Sequence, residues 1–171
     1  MFLNIKEMEL RRIRFDEAFE PGEIDFSETG LRQATAIRAE GSAKVLENSG
    51  GEIRIQGRFS GTMETDCDRC LAAVTLPLDG SFDLFYRPPA NLDVDELKID
   101  EGEAEIGFYE GLGLELADVV KEQVLLAVPM KRFCREDCRG ICPVCGANRN
   151  EVVCECHEKP ADDRWKALKN L

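Results

Sequence analysis

Eight cysteines in 171 residues are the side chains of this sequence most able to do chemistry. Six crowd into one stretch, Cys134-x3-Cys138-x3-Cys142-x2-Cys145-x8-Cys154-x-Cys156, followed directly by His157. The segment Cys142-Pro143-Val144-Cys145-Gly146 has the form of a zinc knuckle. Two thiolates three positions apart can share one ion when the turn between them is tight, and Gly146 lets the chain leave that turn with positive φ. A second pair must close the tetrahedron. Cys154 and Cys156 are the natural candidates, and Cys138 is the next, able to replace either. Soft thiolate ligands in tetrahedral geometry suit zinc, and iron can fill the same kind of site. A closed four-thiolate site leaves no position for a reacting water, so it reads as structural rather than catalytic. The competing reading is a set of unligated buried or reactive thiols.

Cys67-Asp68-Arg69-Cys70 is a separate signal lying between strand-like runs. It reads as half of a second metal site, completed by leftovers such as Cys134 and Cys138, or as a redox dithiol, or as packing cysteines. A redox CxxC ordinarily opens a helix, which lowers the first thiol's pKa, and the context here is β. His157 is the chain's single histidine, with no nucleophile spelled nearby to make it a general acid–base group. No phosphate loop, serine-triad motif or HExxH is present, and the sequence points to no enzyme and no catalytic residue.

The elements that must position these thiols follow from the hydrophobic pattern. Met1–Ile5 and Leu10–Phe15 are short alternating runs. Residues 34–65 read as a hairpin of two long strands about Asn48-Ser49-Gly50-Gly51, since Asn and Gly tolerate positive φ. In its second arm Ile53, Ile55, Gly57 and Phe59 alternate with Arg54, Gln56, Arg58 and Ser60, which predicts a strand with one buried face. Strands follow at Leu71–Leu78 and Ser81–Tyr86, with a bend at Leu78-Asp79-Gly80, until Pro88-Pro89 ends the sheet. Residues 88–105 form an acidic linker, and Ile106–Tyr109 is a short strand. Residues 114–127 place Leu116, Val119, Val120, Val124 and Ala127 at helical spacing, closed by Pro129. A short helix over 161–171 ends the chain, with Asp162-Asp163 at its start and Lys166 and Lys169 toward its end, as the helix dipole prefers. The expected fold class is α+β: an antiparallel β-domain with one packed helix over residues 1–129, and a C-terminal cysteine-rich zinc module over 130–171.

The formal net charge of −12 is unevenly spread. Residues 91–110 carry eight carboxylates against Lys98 alone, whereas residues 131–150 carry five Lys and Arg against Glu136 and Asp137. The acidic strip reads first as a solvated loop, and it can equally receive a basic protein; the basic module can touch phosphate. The longest apolar run, around Val124–Val128, falls far short of the roughly 20 residues that span a bilayer, and the first residues lack a signal-peptide layout. The expected location is cytoplasmic, where clustered cysteines stay reduced.

Taken together, Cys67-Asp68-Arg69-Cys70-Leu71, Leu126-Ala127-Val128-Pro129, the run from Cys138 to Asn148, and Cys154-Glu155-Cys156 followed by Asp163-Arg164-Trp165-Lys166-Ala167-Leu168 make the chain resemble the YceD family of large ribosomal RNA subunit accumulation proteins. It departs from the expected Asp-Pro-Arg at Asp163-Arg164. The resemblance implies a role in ribosome biogenesis, supporting accumulation of large-subunit ribosomal RNA. It also implies, as partners, that RNA or the pre-ribosome and a small basic zinc-ribbon protein of the large subunit. The alternative function is thiol redox or metal handling through Cys67 and Cys70.

Overall fold

A computed structural model describes residues 1–47, 49–88 and 106–156. The acidic linker beyond Pro88, His157, the helix expected over 161–171, and Asn48 of the hairpin turn lie outside these residues. The chain divides into two compact units, one of Met1–Glu64 with Thr75–Met130, the other of Thr65–Val74 with the chain from Lys131 onward. The second unit therefore draws on the middle of the chain as well as its end.

The first unit is built on a sheet in the order β2-β4-β5-β6-β7. Its strands are β2 (Ile13–Phe19), β4 (Ile37–Val45), β5 (Ile53–Asp66), β6 (Ala73–Arg87) and β7 (Ile106–Phe108), and the two-residue β3 (Arg32–Gln33) pairs with β5. β2 with β4 and β4 with β5 are antiparallel, while β7 runs parallel to β6, which makes the sheet mostly antiparallel but mixed. β1 (Phe2–Asn4) pairs separately with β8 (Gly113–Glu115). The expected hairpin is present as β4–β5.

The alternation works as the sequence implies. Ile53, Ile55 and Phe59 of β5 and Ile37, Ala39 and Ala43 of β4 are buried on one face. Helix α2 (Leu116–Ala127) buries Leu116, Val119, Val120 and Val124, positions i, i+3, i+4 and i+8 on one stripe. Each such aliphatic side chain contributes on the order of 1.5–3 kcal/mol by leaving water.

Besides the parallel β7, the start of β6 at Ala73 rather than Leu71 and the start of α2 at Leu116 rather than 114, two stretches differ from expectation. Residues 5–10 form a helix, α1 (Ile5–Leu10), and β2 starts only at Ile13, so Leu10 ends a helix rather than opening a strand. The Asn4 side chain accepts a hydrogen bond from the Lys6 backbone and caps this helix, which is too short for a 3.6-residue period to show. The bend expected at Leu78-Asp79-Gly80 is absent, and β6 runs unbroken through Gly80. A Cβ on Gly80 would stand 2.7 Å from the Phe59 ring, so glycine there makes room for an aromatic side chain instead of ending a strand.

Candidate metal centres

In the second unit, the segment 65–74 makes a tight turn about Cys67 and Cys70. Leu71 N–H donates to the Cys67 carbonyl (3.0 Å) and Cys67 N–H to the Ala72 carbonyl (2.8 Å). Leu71 takes a left-handed conformation, φ 61°. The turn leaves both thiols on one side and buried, Cys67 at 0% and Cys70 at 6% exposure.

The segment after Lys131 meets this turn. Asp68 N–H donates to the Arg132 carbonyl (2.8 Å), and Arg132 N–H donates to the Asp68 carboxylate (2.7 Å). The Arg132 guanidinium reaches Thr65 Oγ1 (3.0 Å) and Asp68 (3.3 Å). Arg69 stacks on the Phe133 ring, 4.0 Å from its centroid, and donates to the Cys138 carbonyl (3.1 Å). These ties bring Cys134 and Cys138 onto Cys67 and Cys70. Cys70 and Cys134 sulfurs are 3.5 Å apart, and those of Cys67 and Cys138 are 3.9 Å apart.

A second group forms from Cys142, Cys145, Cys154 and Cys156, and in each group of four the sulfurs lie within 4.8 Å of one another. Cys142 and Cys145 occupy a turn built as the first one is. Gly146 N–H donates to the Cys142 carbonyl (2.9 Å), Cys142 N–H to the Ala147 carbonyl (2.8 Å), and Gly146 is left-handed at φ 75°. Val144 N–H points at the Cys142 sulfur (3.5 Å), and the Arg149 guanidinium stands 4.0 Å from it.

The separations are those of ligands rather than of disulfides. A bonded pair of sulfurs lies about 2.05 Å apart. Four sulfurs at about 2.3 Å from a central ion in a tetrahedron stand about 3.8 Å from each other, and the distances of the first group fall on either side of that value. Both four-cysteine groups can hold a metal ion.

The electrostatics favour a thiolate at Cys67 in the first group and at Cys142 in the second. Burial pushes the Cys67 thiol up, but N–H groups of Arg69, Cys134 and Cys70 aimed at its sulfur outweigh that and leave it at about 6. Cys142 is drawn to about 6 by the N–H groups of Cys145 and Val144. Their neighbours move the other way. Cys134 is pushed up to about 12 by Cys70 and by burial, and Cys156 to about 12 by Cys145 and by burial. Four thiols so close cannot all ionise without a cation among them.

Cys138 stands with Cys67, Cys70 and Cys134, not with Cys142, Cys145, Cys154 and Cys156. Cys134 and Cys138 stand with Cys67 and Cys70 as the first of the three readings of that CxxC has it, a second site completed by the leftover cysteines.

Comparison with known proteins follows the same stretch of chain. The model of the family described as "Large ribosomal RNA subunit accumulation protein YceD" matches residues 55–171, which include all eight cysteines. The uncharacterized protein YlbN of Bacillus subtilis (strain 168) is 25% identical over 170 residues, 98% of this chain and 92% of that protein. The uncharacterized protein Rv2926c of Mycobacterium tuberculosis is 27% identical over 124 residues, 72% of this chain and 57% of that protein. No solved structure matches.

Proposed function

This chain belongs to the YceD family of large ribosomal RNA subunit accumulation proteins, and from that premise we propose that it is a non-enzymatic ribosome-biogenesis factor whose second unit is folded around two structural zinc ions. Family membership carries the first half of this reading. The second half rests on what fills the interior of the second unit. Among its described residues the buried side chains are Thr65, Cys67, Cys70, Val74, Cys138 and Cys142, while Ile141, Val144, Val152 and Val153 are exposed. Where four of the described buried side chains are thiols, metal–thiolate bonds supply folding energy that apolar burial at those positions does not. Zinc is the divalent ion that soft tetrahedral thiolate sites select most readily in a reducing compartment. Burial of Cys67 and Cys70 beside Cys134 and Cys138 favours ligation over the alternative of a working redox dithiol.

For the partner, the outer face of the first unit's sheet favours RNA of the large subunit or its precursor. Two adjoining shallow grooves of about 720 and 560 Å³ share Glu40, Arg58 and Ser81. Arg38 and Asp79 line one, Arg12 and Arg14 the other. Arg38 is paired with Asp16 and Arg58 with Glu40. Among the described residues no carboxylate pairs with Arg12 or Arg14, and both are exposed. In a chain of net charge −12 this is a local surplus of cations of the kind that holds phosphate. A small basic zinc-ribbon ribosomal protein meeting the carboxylates of residues 91–110 is the second partner consistent with the charge distribution.

Gradient sedimentation of cell extracts tests the reading. The protein is expected to travel with large-subunit precursors at low salt, to detach as salt rises, and to be released at lower salt in Arg12→Glu/Arg14→Glu. Failure to sediment with precursors at any salt, with unchanged large-subunit RNA in cells lacking the protein, would overturn it.

A further inference from the structure

Arg149 and Asn150 are neighbours in the loop between Cys145 and Cys154, and their side chains serve different thiol groups. Arg149 reaches the Cys142 sulfur of its own group (4.0 Å). Asn150 Nδ2 donates to the Cys138 sulfur of the other group (3.3 Å). The orientation of the Asn150 amide is set by its surroundings. Its oxygen accepts from Arg139 N–H (2.8 Å) and from the Arg135 guanidinium (2.7 Å), so the nitrogen must face the sulfur.

The loop that delivers Asn150 is itself held by the second group. Asn148 forms a β-bridge with Ile141, beside Cys142. Cys142 N–H donates to the Ala147 carbonyl (2.8 Å), and Arg149 N–H to the Gly140 carbonyl (2.9 Å). Asn148 Oδ1 accepts from both the backbone N–H (3.0 Å) and the side-chain nitrogen (2.8 Å) of Asn150. Closing Cys142, Cys145, Cys154 and Cys156 on an ion fixes the two ends of this loop, and with them the place of Asn150.

We propose that the two four-thiolate groups bind their zinc ions as a linked pair, with Asn150 the positioning residue that carries the coupling from the second site to Cys138 of the first. This rests on both groups being metal sites. A donor to a metal-bound thiolate disperses charge on the sulfur and holds its direction, and loss of such a partner costs roughly 10–100-fold in metal affinity. The metal at the second site thus strengthens the first by ordering the loop. By linkage the first must strengthen the second by the same factor.

The test is an equilibrium zinc titration of the reduced, metal-free full chain against a competing chelator, in the wild type, Asn150→Ala and Asn150→Asp, with folding of the sheet unit followed by circular dichroism. The wild type is expected to take up two zinc ions in one concerted transition. Asn150→Ala is expected to separate the two steps, with one affinity lower by at least about tenfold. Asn150→Asp should separate them further, because it keeps the acceptor for Arg139 and Arg135 but turns a carboxylate oxygen toward the Cys138 sulfur. Cys154→Ser, which opens the second site, should weaken the remaining site in the wild type and add little in the Asn150→Ala background. Two independent steps in the wild type, or variants that bind as the wild type does, would overturn the coupling. Uptake of fewer than two ions by the wild type would instead overturn the reading of the two groups as metal sites.

Discussion

The sulfurs of Cys67 and Cys138 lie 3.9 Å apart although 71 positions separate them in the chain. One comes from the connection between β5 and β6, the other from the segment after α2, and each arrives with a second cysteine of its own turn. The second unit is therefore closed by thiols rather than by chain continuity.

This arrangement makes metal content divisible. The reduced protein, purified without chelator, is expected to carry two zinc ions. Cys70→Ser and Cys145→Ser should each remove one, and the double variant both, as read by elemental mass spectrometry. Metal–thiolate bonding is worth on the order of 10 kcal/mol in small zinc modules, so the double variant should also lose the protease resistance of residues 131–156. Retention of two ions in Cys70→Ser would show that the first group does not bind one.

The C-terminal turn was legible because Pro143, Val144 and Gly146 spell it out. The Cys67–Cys70 turn has the same two backbone hydrogen bonds but carries Leu71 where the other has Gly146, and so it looked less like a knuckle. The pairing of that turn with Cys134 and Cys138 was not legible beyond a list of leftovers, since 71 positions separate Cys67 from Cys138 and no local pattern spans them. Helix α1 escaped because six residues show less than two turns of periodicity. Gly80 resembled a break because a sequence displays a missing side chain but not the Phe59 ring that needs the space. The long strands and α2 were readable because alternation and 3.6-residue spacing persist over many residues.

Leu71 and Gly146 therefore make a matched pair of opposite expectations. Leu71 is 65% exposed and left-handed, so its side chain gains little by burial while its backbone is strained. Leu71→Gly removes that strain, of about 1–2 kcal/mol, against an unfolded-state entropy cost of about 0.4–1 kcal/mol. It should be neutral or stabilising by up to about 1 kcal/mol. Gly146→Leu imposes the strain and should destabilise by about 1–2 kcal/mol. Chelator-driven unfolding of the two variants measures both. A clear loss of stability in Leu71→Gly would mean that the leucine side chain holds something the backbone argument omits.

Gly57 is expected to be intolerant of any side chain. It faces Gly41 across β4 and β5. A Cβ on it would lie 2.6 Å from the Glu40 carbonyl and 2.7 Å from the Phe82 ring. Gly57→Ala should destabilise the first unit by about 1–3 kcal/mol through displacement of that ring, whereas Ser42→Ala on the groove side should stay within about 0.5 kcal/mol. Urea unfolding followed by circular dichroism decides it. An unaffected Gly57→Ala protein would mean that Phe82 has room to move aside.

Alkaline pH should unfold the first unit through its tyrosines. The chain has two, Tyr86 and Tyr109, and both are buried. Burial raises both phenols above their ordinary range, with the nearby carboxylate of Glu122 adding to Tyr86 and that of Glu9 to Tyr109. Both hydroxyls are engaged, Tyr86 donating to Glu122 (3.4 Å) and Tyr109 to the Gly51 carbonyl (2.7 Å). Above the unfolded value of about 10, the native state still holds protons that the unfolded chain has released. Stability is then full below about pH 10 and declines as pH rises toward the folded pKa values. Phenolate absorbance in the near ultraviolet should stay low at that pH and appear together with loss of the sheet's circular dichroism. Tyr86→Phe, which removes the more strongly shifted phenol, should move the alkaline transition to higher pH. At neutral pH it should cost no more than about 0.5–1.5 kcal/mol for the lost hydrogen bond. Ionisation of both phenols near pH 10 with the sheet signal intact would contradict their burial.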